Sequence, residues 1–235
     1  MNEISLKERL NEAIVNYDRI EVNNLLKSFP DIVRESDILH QSVQYQRDDD
    51  AFGIFLDLLE AGADPVFVDR NGNTVLHQLC WTKYLYAQGF CDEEIVDILI
   101  RRGVPINLRN NEQLTPLWLA SAWFREDPNV SLEGNSLECC LIAHGANVNY
   151  ANAKNVTPLH LAAIHDDLPF IRFLICCGAN LNPRTISDDG ILTGTHSALP
   201  IKKGTAPLDL CSSVEARDML LEAGAVPGIV TKIGP

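Results

Sequence analysis

The sequence is short of positive charge, of long apolar runs and of framework-spaced cysteines. Its 19 Lys and Arg face 32 Asp and Glu, a net charge of −13. Nucleic-acid binding uses cations to displace counterions, so this balance disfavours a general nucleic-acid binder. It favours solubility and a partner with a basic patch. No run reaches the roughly 18 apolar residues of a spanning helix, so no membrane insertion is expected. The opening MNEISLKERL is charged and lacks an apolar core, so no secretory signal is expected there. Seven cysteines, an odd number without regular spacing, read as reduced thiols of a cytoplasmic protein. The sequence has no GxGxxG, HExxH or GxSxG motif and no phosphate-binding loop. No cofactor and no catalytic residue is assigned.

What the sequence does have is self-similarity. Thr74-Val75-Leu76-His77, Thr115-Pro116-Leu117-Trp118 and Thr157-Pro158-Leu159-His160 share one pattern, and Ala206-Pro207-Leu208-Asp209 is a degraded copy. A second signature pairs apolar residues with a glycine: Leu58-Leu59 before Gly62, Leu99-Ile100 before Gly103, Leu141-Ile142 before Gly145, Leu174-Ile175 before Gly178 and Leu220-Leu221 before Gly224. Gly62 and Thr74, Gly103 and Thr115, and Gly145 and Thr157 are each 12 positions apart. A spacing that holds over three junctions marks a repeat.

The residue chemistry explains the unit. Thr157 is suited to cap a helix, and Pro158 fits the first helical position, which needs no N–H. Leu159, Leu161 and Ala162-Ala163 give a small apolar face. Phe170, Phe173, Leu174 and Ile175 recur at helical spacing, which predicts a second helix ended by Gly178. Asp69-Arg70-Asn71-Gly72 carries hairpin-turn residues. One such unit cannot bury its own apolar face and must stack on neighbours. With 46% hydrophobic residues, a 235-residue chain can supply that core.

These motifs resemble those of ankyrin repeats, which have about 33 residues per unit and a Thr-Pro-Leu-His signature. The resemblance implies an all-α ankyrin-repeat solenoid of helix–turn–helix units with hairpin fingers. It implies one domain over 1–235, with units near 5–35, 36–69, 70–110, 111–152, 153–185 and 204–228. The first two units are weak: Ala13-Ile14 and Leu25-Leu26 mark one, and Leu39-His40 begins the other. In the family the signature histidine bonds backbone near the preceding finger, so His77 and His160 read as scaffold. Trp118 and Asp209 at the same position argue against chemistry shared by all units.

Departures from the repeat carry the functional expectations. Thr74 to Gly103 spans 29 positions and Thr115 to Gly145 spans 30, against 21 from Thr157 to Gly178. The additions include Tyr84, Leu85, Tyr86 and Phe90 in one unit, and Phe124, Glu126, Asp127 and Asn129 in the other. They either lengthen helices or form a partner surface. Gly178 to Ala206 spans 28 instead of 12, placing a Gly/Ser/Thr/Pro-rich insertion at 183–203 that reads as a long loop. Cys140, His144, Cys176 and Cys177 are soft ligands that stacking could gather, but no CxxC accompanies them. The acidic clusters at 48–50, 92–94, 166–167 and 188–189 read as helix starts or loops.

The resemblance implies a non-enzymatic interaction protein: an adaptor, inhibitor or targeting protein, monomeric, that binds another protein. Its contact residues would be finger residues and exposed first-helix positions. Here these are Arg70, Asn71, Asn73, Arg109, Asn111, Glu112 and Lys154, with Trp81, Thr82, Trp123, Ile164 and His165. Trp81 and Trp123 can equally pack beneath the additions. A cytoplasmic setting fits, as does host cytoplasm for a delivered bacterial effector. The alternative is an enzyme or ligand-binding protein whose site is built from the insertions.

Overall fold

A computed structural model describes residues 3–33, 37–44, 49–82, 92–122, 136–188, 191–192, 198–199 and 201–228. The chain divides into two compact units, Met1–Asn111 and Glu112–Pro235. The first holds α1 (Glu3–Val15), α2 (Arg19–Ser28), α3 (Ile38–Gln44), α4 (Asp49–Glu60), α5 (Val75–Thr82) and α6 (Asp92–Arg101). The second holds α7 (Pro116–Ser121), α8 (Leu137–Ala143), α9 (Pro158–Ile164), α10 (Leu168–Cys176), α11 (Pro207–Leu210) and α12 (Val214–Glu222). The fold is all-α, with one two-residue antiparallel ribbon among the described residues, β1 (Ile191–Leu192) and β2 (Ala198–Leu199). The loop expected at 183–203 therefore contains a short hairpin. Tyr84, Leu85, Tyr86, Phe90, Trp123, Phe124, Glu126, Asp127 and Asn129 lie outside the described residues.

The glycine signature becomes one corner built five times. Gly62, Gly103, Gly145, Gly178 and Gly224 have φ between +88° and +97°, except Gly178 at +79°. Each helix closes with the same bond pair. Gly145 N–H donates to Ile142 C=O at 3.0 Å, and Ala146 N–H donates to Leu141 C=O at 2.9 Å. The left-handed residue lets the chain reverse while satisfying carbonyls that the helix end would orphan.

Helix starts follow their sequence as well. The Thr115 hydroxyl accepts from Trp118 N–H, Ser136 from Cys139 N–H, Asp167 from Phe170 N–H and Ser213 from Ala216 N–H. Of the four acidic clusters, the one at 166–167 thus supplies a helix cap, Asp167. Asp166, with φ of 48°, goes further: its carboxylate accepts from Ser212 N–H and Ser213 N–H at the start of α12. It ties one helix pair to the next.

Within the first unit, α1 packs on α2 and α3, α3 on α4 and α5, and α5 on α6. Within the second, α7 packs on α8 and α9, α9 on α10 and α11, and α11 on α12. Within each unit, a first helix therefore touches its own partner and any first helix that follows it in that unit. Leu10, Leu39, Leu58, Leu76 and Leu99 are buried in one core, and Leu117, Leu141, Leu159, Leu174 and Leu220 in the other. Such a side chain contributes about 2 kcal/mol when removed from water. No helix of the described residues is long and apolar enough to cross a membrane.

Candidate functional site

The finger tips are held by their first residue. The Asp69 carboxylate accepts from Asn71 N–H and Asn73 N–H, both at 2.8 Å, and from the Asn73 amide at 3.0 Å. Burial works to raise the Asp69 carboxyl, but these bonds outweigh it and hold the group below the ordinary value. Asn152 repeats the arrangement, accepting from Lys154 N–H at 2.9 Å and Val156 N–H at 3.0 Å. The fourth turn position is left-handed in both fingers: Gly72 at φ +76° and Asn155 at φ +60°. Gly72 is needed for space too, since a Cβ there would lie 2.8 Å from Asn111 Oδ1.

Neighbouring tips are bonded in the first unit. Asn111 N–H donates to Asn71 C=O at 2.9 Å, and its side-chain amide donates to Arg70 C=O at 3.1 Å. Asn110 donates to the Asn73 side chain at 2.8 Å. The tip is therefore an ordered edge. Arg70, Asn71, Arg109 and Asn111 are exposed along it. Asn73 is half-buried and spent on Asp69 and Asn110. Asn110, missed in the sequence, is the buried link beneath the surface; an Asn-Asn pair following a finger was its only signal.

Trp81 lies in the last turn of α5 with 52% of its surface exposed. Its neighbour corrects an expectation. Thr82 is buried, and its hydroxyl faces the carbonyls of Gln78 at 2.9 Å, Leu79 at 3.2 Å and Val43 at 3.3 Å. Adjacent helical positions point about 100° apart, so Trp81 and Thr82 cannot share one surface. In the second unit, Glu112 is exposed, and Lys154, Ile164 and His165 are half-buried. Burial pushes the His165 imidazole below its ordinary value, against the pull of the Ala122 backbone and Asp167.

The signature histidine is structural, and it bonds both backward and forward along the chain. His160 Nδ1 accepts from Thr157 N–H at 3.1 Å, with the Thr157 hydroxyl at 2.9 Å. Its Nε2 lies 3.3 Å from Thr205 C=O, just before the next unit begins. A carbonyl only accepts, so Nε2 carries the proton. His40 makes the same forward bond to Asn73 C=O at 2.9 Å. The bond to backbone near the preceding finger implied by the resemblance is present, since Thr157 N–H and Thr74 N–H each donate to the Nδ1 of their histidine at 3.1 Å, and a second bond to the following finger is added to it. Trp118 does the same work, since its indole N–H donates to Val156 C=O at 2.8 Å. The position keeps its task while its residue changes, because all that is required is a buried ring N–H at that height.

Two thiols among the described residues are shifted by their surroundings. Burial pushes the Cys211 thiol up to about 11, and the neighbouring Asp166 adds to the shift. Cys177 is also raised, by burial and by Cys176 and Cys139. Both thiols are moved away from the reactive thiolate. Cys140 is buried while Cys176 and Cys177 are exposed, and among the described residues no group of three His, Cys, Asp or Glu could hold a metal ion.

A family model described as ankyrin repeats, three copies, matches residues 84–185. The chain is 30% identical to the nuclear factor NF-kappa-B p105 subunit of Gallus gallus over 181 residues, covering 72% of this chain and 16% of that protein. It is 27% identical to the B-cell lymphoma 3 protein homolog of Mus musculus over 176 residues, covering 63% of this chain and 38% of that protein. It is 30% identical over 117 residues to the ankyrin repeat protein OPG189 of Variola virus, covering 50% and 19% respectively. The chain thus spans less than two-fifths of each relative's length.

Proposed function

Because this chain is an ankyrin-repeat protein, we propose that it is a non-enzymatic interaction module that recognises another protein as an adaptor, inhibitor or targeting protein. The observation that carries this reading is Trp81, a large ring left 52% exposed at the end of a well-packed helix. Aromatic and arginine side chains dominate interface energetics, and a half-exposed tryptophan on a rigid element loses little entropy on contact. In the first unit, Trp81 serves with Arg70, Asn71, Arg109 and Asn111. In the second, Glu112, Lys154, Ile164 and His165 serve, together with Trp123.

The net charge of −13 supports a partner bearing a basic patch. The tip cations Arg70, Arg109 and Lys154 would meet acidic residues on the same partner. A cytoplasmic setting suits reduced thiols, and a delivered effector in host cytoplasm is one such setting.

The test is affinity capture with the intact chain and with a Trp81→Ala/Arg70→Ala/Asn71→Ala variant, each checked by thermal melting. Proteins enriched by the wild type and lost from a variant of unchanged melting temperature support the reading. Equal enrichment by both would refute this choice of contact residues.

A further inference from the structure

The fourth signature copy carries Asp209 where other units carry His or Trp, and its forward bond is reversed. Asp209 accepts where the rings donate: Gly228 N–H lies 2.8 Å from Oδ2 and 3.0 Å from Oδ1. The carboxylate also accepts from Ala206 N–H at 2.8 Å, the bond that Nδ1 of His160 makes to its own Thr157. The forward partner also comes sooner. Asn73 and Val156 lie ten positions beyond Ala63 and Ala146, whereas Gly228 lies three beyond Ala225. Val226–Gly228 therefore reaches Asp209, Arg184 and Asn182 directly after the corner at Gly224.

Four side-chain contacts hold this strap, and all are to its backbone. Arg184 Nη2 donates to Val226 C=O at 3.3 Å and to Pro227 C=O at 2.8 Å. Asn182 Oδ1 accepts from Val226 N–H at 2.7 Å, and Asp209 takes Gly228 N–H. Arg184 Nη1 is 3.9 Å from Asp209 Oδ2, an ion pair without a hydrogen bond. The fit at position 228 excludes any side chain. A Cβ would lie 2.7 Å from Gly204 C=O and 2.8 Å from Arg184 Nη1. The strap itself buries little, as Val226 is 50% exposed and Pro227 is exposed.

We propose that Asn182, Arg184, Gly204 and Asp209 form a docking groove for an extended, glycine-bearing peptide segment, occupied in cis by Val226–Gly228. The groove reads backbone donors and acceptors and demands glycine at one position. An occupant held by polar bonds, with no large buried side chain, opens at low free energy. An equivalent segment of another protein can then compete for the same donors and acceptors. The groove uses no residue of the finger-tip set, so the two readings fail separately.

The test uses the full chain and a synthetic peptide, Ala-Val-Pro-Gly-Ile-Val, copied from residues 225–230. In the Gly228→Ala chain the strap no longer fits, and the peptide binds in trans at least about tenfold more tightly than to the wild type, whose groove is filled. Replacing the peptide glycine by alanine abolishes binding, as does adding Arg184→Ala to the chain. A folded Gly228→Ala chain that gains no affinity, or that takes the alanine peptide equally well, overturns the proposal. Hydrogen exchange on the wild type gives an independent reading should that variant misfold. The Val226 and Gly228 amides are expected to exchange well before those of Leu220 and Leu221 in α12. Equal protection would show a strap that does not open on its own and would overturn the groove as a docking site.

Discussion

His160 makes the fold acid-sensitive in a way that can be isolated. The ring is fully buried, its Nδ1 is engaged by Thr157, and its Nε2 faces Thr205 C=O. Protonating Nδ1 would remove the acceptor of Thr157 N–H and place a charge in the core. Burial, with Arg184 acting in the same direction, brings the pKa down from 6.5 to about 4. Between those values the unfolded chain binds a proton that the folded chain refuses, so stability rises with pH across the window. The contribution is complete above about pH 6.5 and is lost as pH falls towards about 4. A shift of that size is worth about 3 kcal/mol at most, of which about 2 kcal/mol lies between pH 7 and pH 4.5. Other groups titrate there as well, so the comparison is with His160→Gln, which stays neutral. Urea unfolding followed by circular dichroism at both pH values measures the stability gap between the two chains. The gap should shrink by about 2 kcal/mol on acidification. A gap that stays constant with pH would refute a neutral, buried His160.

Two further substitutions probe the repeat. Trp118→Phe removes the indole N–H and leaves Val156 C=O, which still accepts from Asn152 N–H at 3.0 Å, with one donor fewer; stability should fall by about 0.5–1.5 kcal/mol in urea unfolding. Gly145→Ala meets no atom within 4 Å, so its effect is conformational, from φ of +93°; a loss of about 1–2 kcal/mol is expected from thermal melting, and no loss would mean the corner is not left-handed.

Much of this fold is written in its punctuation. Gly145 and Gly178 could be placed at equivalent corners from spacing alone, because a left-handed helix end has few residue solutions. Asp167, in an acidic pair read as a helix start or loop, caps α10 because a carboxylate suits the free N–H groups of a helix start. Thr82 was misjudged because adjacent positions on α5 part company, and sequence gives no helical phase to within one residue when the additions follow directly. Trp118 looked like a broken signature; only the distance to Val156 shows a ring N–H doing the histidine's work. Asp209 was illegible because its partner Gly228 is 19 positions away and outside the repeat spacing. The short ribbon Ile191–Leu192 with Ala198–Leu199 hides in a segment whose Gly, Ser and Thr content reads as loop.

The most direct measurement is a hydrogen-exchange footprint of the intact chain with its captured partner. If the finger edge and the exposed end of α5 are the recognition surface, protection on binding will concentrate at residues 70–71, 81, 109–111 and 154. Protection confined to the second helices α4, α6, α8 and α10, with those positions unchanged, would contradict it.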